Sequence, residues 1–320
     1  MSASTPVVIA KALAAAVRAP SPFNTQPWRF EVQGQVIGMR LDRDRVLAVA
    51  DPDAREARLS CGAALCNLRV ELRAQDRVGL VDLLPDRANP DLLAVVRVAG
   101  DRSATVTERQ LASAIAKRHT NRHPFLDKPV PTPARTALAS AARAEGARLV
   151  FIDASARYDL LVELIGRAER VQDGDGAYQH EMKRWLGGPI TRTDGVPIDA
   201  MGPPPLAGQL VTMRSMYRRN PLPPRLFEQQ PLLIAVLTPA AGPRYDLIAG
   251  AGMQRALLTA CASGLSTSFL SQPFEVPATR AELGEAFRAE GEVHTLLRAG
   301  YGMAAGTTPR RDVSEVTIQP

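Results

Sequence analysis

Arg118, Thr120 and Arg122 alternate over five residues, and His119 stands among them. Two forked guanidiniums and a hydroxyl at this spacing can surround a phosphate with charge-assisted hydrogen bonds. A solvated basic helix end that complements the helix dipole is the alternative. A second basic pair, Arg310 and Arg311, follows Thr308 and Pro309 near the end of the chain. Aimed at the same anion, it would add charge that is costly unless the anion is present, because like charges repel. An exposed basic tail is the alternative. Far upstream, Pro20, Ser21, Asn24, Gln26 and Pro27 form a proline-bounded polar turn ending at Trp28. Ser21 and Asn24 are short side chains suited to presenting a hydroxyl and an amide from such a turn.

These groups need a scaffold, and the hydrophobic pattern supplies one. Helices are predicted over 7–18, 58–75, 103–118, 156–171 and 249–264, the third delivering the Arg segment at its end. Residues 29–32 and 35–41 read as a hairpin around Gly34, and 92–98, 148–153, 266–270 and 294–301 as strands. Residues 231–238 form a continuous apolar run, the pattern of a strand buried on both faces. The stretches beginning at Gly62 and Gly250 share a glycine-led, Ala/Leu-rich helical pattern, which suggests an internal repeat. Residues 187–230 are rich in proline and glycine yet carry Val196, Ile198, Met201, Leu206, Met213 and Met216. That mixture favours a lid packed on the molecule over a disordered linker.

The chain has 320 residues, a net charge of +6 and a pI near 9.6. Its arginines are interspersed with acids such as Asp42, Asp44, Glu56 and Glu71, and no basic block marks a nucleic-acid arm. Three cysteines, Cys61, Cys66 and Cys261, argue against a disulfide framework or a zinc site, and the four histidines lack metal spacing. No apolar segment approaches the ~20 residues of a membrane span, and the N-terminal apolar run lacks the basic start of a signal peptide. A cytoplasmic protein without nucleic-acid or membrane partners is expected. There is no Gly-x-Gly-x-x-Gly, Walker or Gly-x-Ser-x-Gly motif, and no side chain is singled out as catalytic.

The loop Ala-Pro-Ser-x-x-Asn-x-Gln-Pro-Trp at 19–28 and the segment Arg118-His119-Thr120-Asn121-Arg122 resemble the flavin-contacting motifs of the nitroreductase family, in reversed order. Gly300-Tyr301-Gly302 followed by Thr308-Pro309-Arg310-Arg311 resembles the family's C-terminus. Residues 252–273 resemble its helix and ring-side strand, with Ser271, Gln272 and Pro273 replacing the usual glycines. The reversed order is similar to that of the actinobacterial tandem nitroreductase-like proteins. The resemblance implies an α+β fold of two fused halves forming an intramolecular pseudo-dimer. Residues 1–103 would be a degenerate half supplying the partner-type loop. Residues 104–320 would supply the phosphate motif, the lid at 187–230 and the tail. It implies one FMN, with Pro20, Ser21, Asn24 and Gln26 reaching it from the first half. Arg118, His119, Thr120, Arg122, Arg310 and Arg311 would lie at its phosphate. Backbone amides at Leu270, Ser271 and Gln272 would meet its ring. The implied function is NAD(P)H-dependent reduction of a small nitro, quinone or similar substrate. The alternative is a non-enzymatic FMN-sequestering protein with the lid closed. A monomer or weak homodimer is expected.

Overall fold

The computed structural model describes residues 4–189, 191–206, 223–229, 231–303 and 306–318. Helix α1, Thr5–Ala16, opens the chain, and the polar loop leads from it into the hairpin of β1, Trp28–Gln33, and β2, Val36–Leu41. A long helix α2, Arg55–Ala74, follows, then β3, Arg77–Leu83, and β4, Leu92–Asp101. Helix α3, Val106–Lys117, starts at a capping box in which the Thr105 and Glu108 side chains each bond the other's backbone N–H. It stops before Arg118, whose backbone is extended, so the Arg segment is a loop. Then come α4, Thr132–Arg143; β5, Arg148–Ile152; α5, Ala156–Gly174; and α6, Gly176–Trp185. The last part holds β6, Leu232–Thr238; α7, Pro243–Ala262; β7, Ser266–Phe269; α8, Gln272–Glu275; α9, Pro277–Ala286; β8, Glu292–Gly300; α10, Val313–Val316; and β9, Thr317–Ile318.

The α+β fold has two sheets. One is ordered β3-β4-β2-β1-β9 and the other β5-β6-β8-β7. Every pairing is antiparallel except that of β9, which runs parallel to β1 with Phe30 opposite Thr317. The tail therefore crosses from the second sheet to the first and carries Arg310 and Arg311 past the polar loop. Strand β6 is buried at every residue, as its unbroken apolar run requires. β3 has no such signal, because its residues are only half-buried and include Arg77, Gly79 and Asp82.

Helices α2 and α7 pack against each other in the main core, through the two glycines of the suspected repeat. A Cβ on Gly62 would sit 2.2 Å from the Leu247 carbonyl oxygen, and one on Gly250 would sit 2.0 Å from that of Leu59. Only glycine permits this reciprocal approach. Asp51 caps α2, accepting the backbone N–H groups of Glu56 and Ala57 at 3.1 and 2.9 Å. Cys61 and Cys66 are buried free thiols, and burial pushes the Cys66 thiol up to about 12. Among the described residues no helix is long and apolar enough to cross a membrane.

Candidate functional site

The loop between α1 and β1 holds an uncommon backbone. Phe23, Asn24 and Gln26 all have positive φ, at 48, 59 and 55°. Such conformations persist in bulky residues only where the surroundings enforce them. Here the Ser21 Oγ accepts the Gln26 N–H at 2.9 Å. The Gln26 side chain is fully buried, donating to the Thr193 carbonyl and accepting the Arg311 N–H, both at 2.9 Å. The Asn24 amide donates to the carbonyls of Gly195 and Pro309, both at 3.0 Å. The loop is thus clamped between the C-terminal tail and the segment 191–201.

Beside it opens a cleft of about 820 Å³, mouth included, within the range of ligand pockets. Pro20, Ser21 and Phe23 form one side. Helix α2 supplies Glu56, Leu59 and Ser60, spaced to share one helical face. Ser268 and Phe269 at the end of β7, with Ser271 and Gln272, line it from the second sheet. Leu186 and Val196 also border it; they pair as an isolated bridge, with the Val196 N–H on the Trp185 carbonyl at 2.8 Å.

Thr120 and Arg122 join this cleft to a smaller recess of about 340 Å³, which His119, Asn24, Thr308 and Arg310 also line. Buried Arg118 acts on the same region. Burial, with the charges of Arg18 and Arg122, brings its guanidinium down to about 10. Burial, then repulsion from Arg118, Arg18 and Arg122, brings that of Arg310 down to about 9. No carboxylate is among the groups acting on either, and neither forms an ion pair among the described residues. Guanidiniums remain charged at neutral pH, so both are buried cations, and crowded positive charge adds to the cost of burying them. Among the described residues, the buried Nε and Nη1 of Arg118, the Nε of Arg310 and the Nε2 of His119 have no hydrogen-bond partner, nor has the Asn24 Oδ1. Unmet buried donors beside uncompensated cations fit an anion that accepts several hydrogen bonds.

The Arg loop is held from behind by a buried cation. Arg298 is fully buried on β8, donates to the His123 carbonyl at 2.7 Å and stacks 3.8 Å from the centroid of Phe125. It pairs with Glu228 at 3.0 Å, whose other oxygen accepts the Phe125 N–H.

The expected residues thus divide. Pro20, Ser21, Asn24, His119, Thr120, Arg122, Ser271, Gln272 and Arg310 line the two hollows, and Arg118 lies behind them. Gln26 does not line them, because its amide is consumed in clamping the loop. Arg311 does not either: its side chain turns to the Glu315 carbonyl at 2.9 Å and towards Asp42 at 3.8 Å. Leu270 is a correction. Its side chain is fully buried in the core and its N–H is spent on the Leu296 carbonyl at 3.0 Å, so it offers no free amide to a ligand. The sequence reading missed Glu56, Ser60, Met253, Thr295 and Arg18. For Glu56 and Ser60 the available signal was two polar residues on the apolar stripe of a helix.

No known family model matches the chain. It is 31% identical over 319 residues to "Putative NAD(P)H nitroreductase Rv3131" of Mycobacterium tuberculosis, across 96% of this chain and 90% of the relative. The chain belongs to the nitroreductase family. "Putative NAD(P)H nitroreductase acg" of the same organism is 28% identical over 316 residues, across 97% and 95% of the two chains. Solved nitroreductases resemble it more distantly. The FMN-bound one from Desulfitobacterium hafniense has a TM-score of 0.41 at 16% identity, covering 65% of this chain and 97% of its own. A BluB-like flavoprotein from Clostridium difficile has 0.42 at 15%, covering 64% and 96%.

Proposed function

We propose that the cleft and its recess bind one FMN, and that this nitroreductase-family chain uses NAD(P)H to reduce a small nitro, quinone or similar substrate over it. The observation that carries the reading is the recess, where Arg118 and Arg310 keep buried donors unmet and meet no carboxylate among the described residues. A terminal phosphate would accept from Arg118, Arg122 and Arg310, and from the His119 Nε2 in its imidazolium form, since Nδ1 donates to the Lys117 carbonyl; it would relieve the repulsion among the cations. Ser21, Thr120 and the Asn24 Oδ1 would meet ribityl hydroxyls. The flat ring would lie in the cleft between Phe23, Leu59, Met253 and Phe269. FMN, when bound, supplies the hydride chemistry; the protein supplies position and electrostatics. The relatives' printed names supply NAD(P)H as the reductant.

Loop and tail reach the site from the first sheet, while the Arg loop and β7 reach it from the second. We read this as one complete site in a fused pseudo-dimer, with 1–103 and 104–320 as its halves. The second reading, sequestration of FMN under a lid, is favoured by the segment 191–201. It is tied down by Asn24–Gly195, Gln26–Thr193, the Arg45–Asp194 pair at 2.9 Å and the Arg122 bond to the Ala200 carbonyl at 3.0 Å. The lid candidates over the ring are Met213, Met216, Tyr217 and the prolines Pro203–Pro205, and of these Met213, Met216 and Tyr217 lie outside the described residues. Anaerobic mixing with NADPH or NADH separates the two. Rapid bleaching of the flavin supports turnover, whereas bleaching by dithionite alone supports sequestration.

A further inference from the structure

Among the described residues lining the cleft, Glu56 is the one acid and Arg122 the one base. Reducing a quinone or nitro group takes a proton as well as a hydride. The hydroxyls in the cleft, Ser21, Ser60, Thr120, Ser268, Ser271 and Thr295, and the Arg122 guanidinium all hold protons too tightly to give one up near neutral pH. A carboxylic acid can. Glu56 is 7% exposed and borders two spaces at once. On one side is the cleft. On the other is a hollow of about 310 Å³, lined by Asp51, Arg55, Asp246, Arg280 and His294.

That hollow is lined by several titratable groups. Asp51 accepts the Glu56 N–H at 3.1 Å, and burial pushes its carboxyl up to about 6. His294 pairs through Nδ1 with Asp246 at 3.2 Å and lies 2.7 Å from the Thr238 hydroxyl through Nε2. Arg58 pairs with Asp246 at 2.8 Å. Among the described residues, the charged groups lining the spaces that Glu56 borders are Asp51, Arg55, Asp246, Arg280 and His294 in the hollow and Arg122 in the cleft, with Arg58 two residues along α2.

We propose that Glu56 is a catalytic residue, delivering the proton that accompanies hydride reduction of the substrate, and that the hollow behind it restores that proton. The proposal rests on the flavin reading above. For a quinone, the hydride originates in the dihydronicotinamide, which ends as oxidised nicotinamide. The quinone oxygen takes the proton from the Glu56 carboxyl, leaving a carboxylate. A solvent proton passing by way of Asp51 recharges it. The sum is NAD(P)H, one proton and quinone giving NAD(P)⁺ and hydroquinone.

The test compares the FMN-loaded native chain with Glu56→Gln by anaerobic rapid mixing. Reduced protein is reoxidised by benzoquinone or by ferricyanide, a one-electron acceptor that takes no proton. Glu56→Gln should slow the quinone step about 100-fold and flatten its pH profile, with the ferricyanide step within about twofold and Glu56→Asp partly restoring the quinone step. An unchanged quinone rate overturns the proposal. So does an equal loss with both acceptors, which marks a structural role. Failure of the native chain to bind FMN overturns the flavin reading itself and is seen before any variant is made.

Discussion

Arg118 is the residue whose placement makes least sense without a ligand. Its guanidinium is buried, crowded by Arg18 and Arg122, and bonded only to the Arg18 carbonyl at 3.3 Å. Replacing it by methionine should therefore weaken FMN binding by ~1.5–3 kcal/mol, about 10- to 150-fold. The apoprotein should not lose melting temperature, because a repulsive buried charge is removed. Differential scanning fluorimetry beside a flavin titration checks both halves. The Arg segment alone reads equally as a solvated helix end, and it was its combination with the basic tail and the polar loop that pointed to this cluster. They could not show that Gln26 and Arg311 are consumed in clamping the loop, or that the Leu270 amide is taken by Leu296. Apart from Glu315, four residues from Arg311, the partners that decide those outcomes lie more than twenty residues away. Glu56 escaped notice for a different reason: a lone acid in the first turn of a helix ordinarily answers the helix dipole.

At the scale of elements, the α2–α7 crossing and the helix caps make separate predictions. Gly250→Ala places a methyl on the Leu59 carbonyl and should cost about 1–3 kcal/mol by overpacking, read as a lower urea midpoint. The glycine-led repeat was visible in the sequence, but not that its two copies meet each other. The caps respond to acid in opposite senses. Burial opposes ionisation of Glu108, but the Arg73 and Arg102 guanidiniums and the Thr105 N–H outweigh it and bring the carboxyl from 4.5 to about 2. The unfolded chain then binds more protons than the native one across that window, so stability at α3 falls as pH drops from 4.5 towards 2. Asp51 is raised from 3.8 to about 6, so its contribution falls as pH rises through that interval. Chemical denaturation from pH 2 to 7 should show the second slope flatten in Asp51→Asn and the first in Glu108→Gln. Most strands were legible because they are apolar or alternate. β3 was not, because its half-buried positions mix Gly79 with charged residues.

For the whole molecule, the proposal of one site per fused chain fixes the binding stoichiometry. The Arg loop and β7 belong to the second sheet, and the polar loop belongs to the first. β9 returns the tail to β1, so both sheets build the same cleft. Calorimetric titration of apoprotein should give one FMN per chain, and a second site of equal affinity would remove the pseudo-dimer reading. The reversed order of the two motifs is what makes the sequence suggest this arrangement. The path of the tail was not readable, because β9 is two residues long and is set by its pairing with Phe30 and Glu31.

The central claim is that the arginine recess holds the phosphate of FMN. Titrating FMN into apoprotein of the native chain and of the Arg118→Ala/Arg122→Ala double variant, followed by quenching of flavin fluorescence, tests it most directly. The account predicts saturable binding to the native chain and a loss of about 100-fold or more in the double variant. Unchanged FMN affinity in a double variant that is folded by circular dichroism would contradict it.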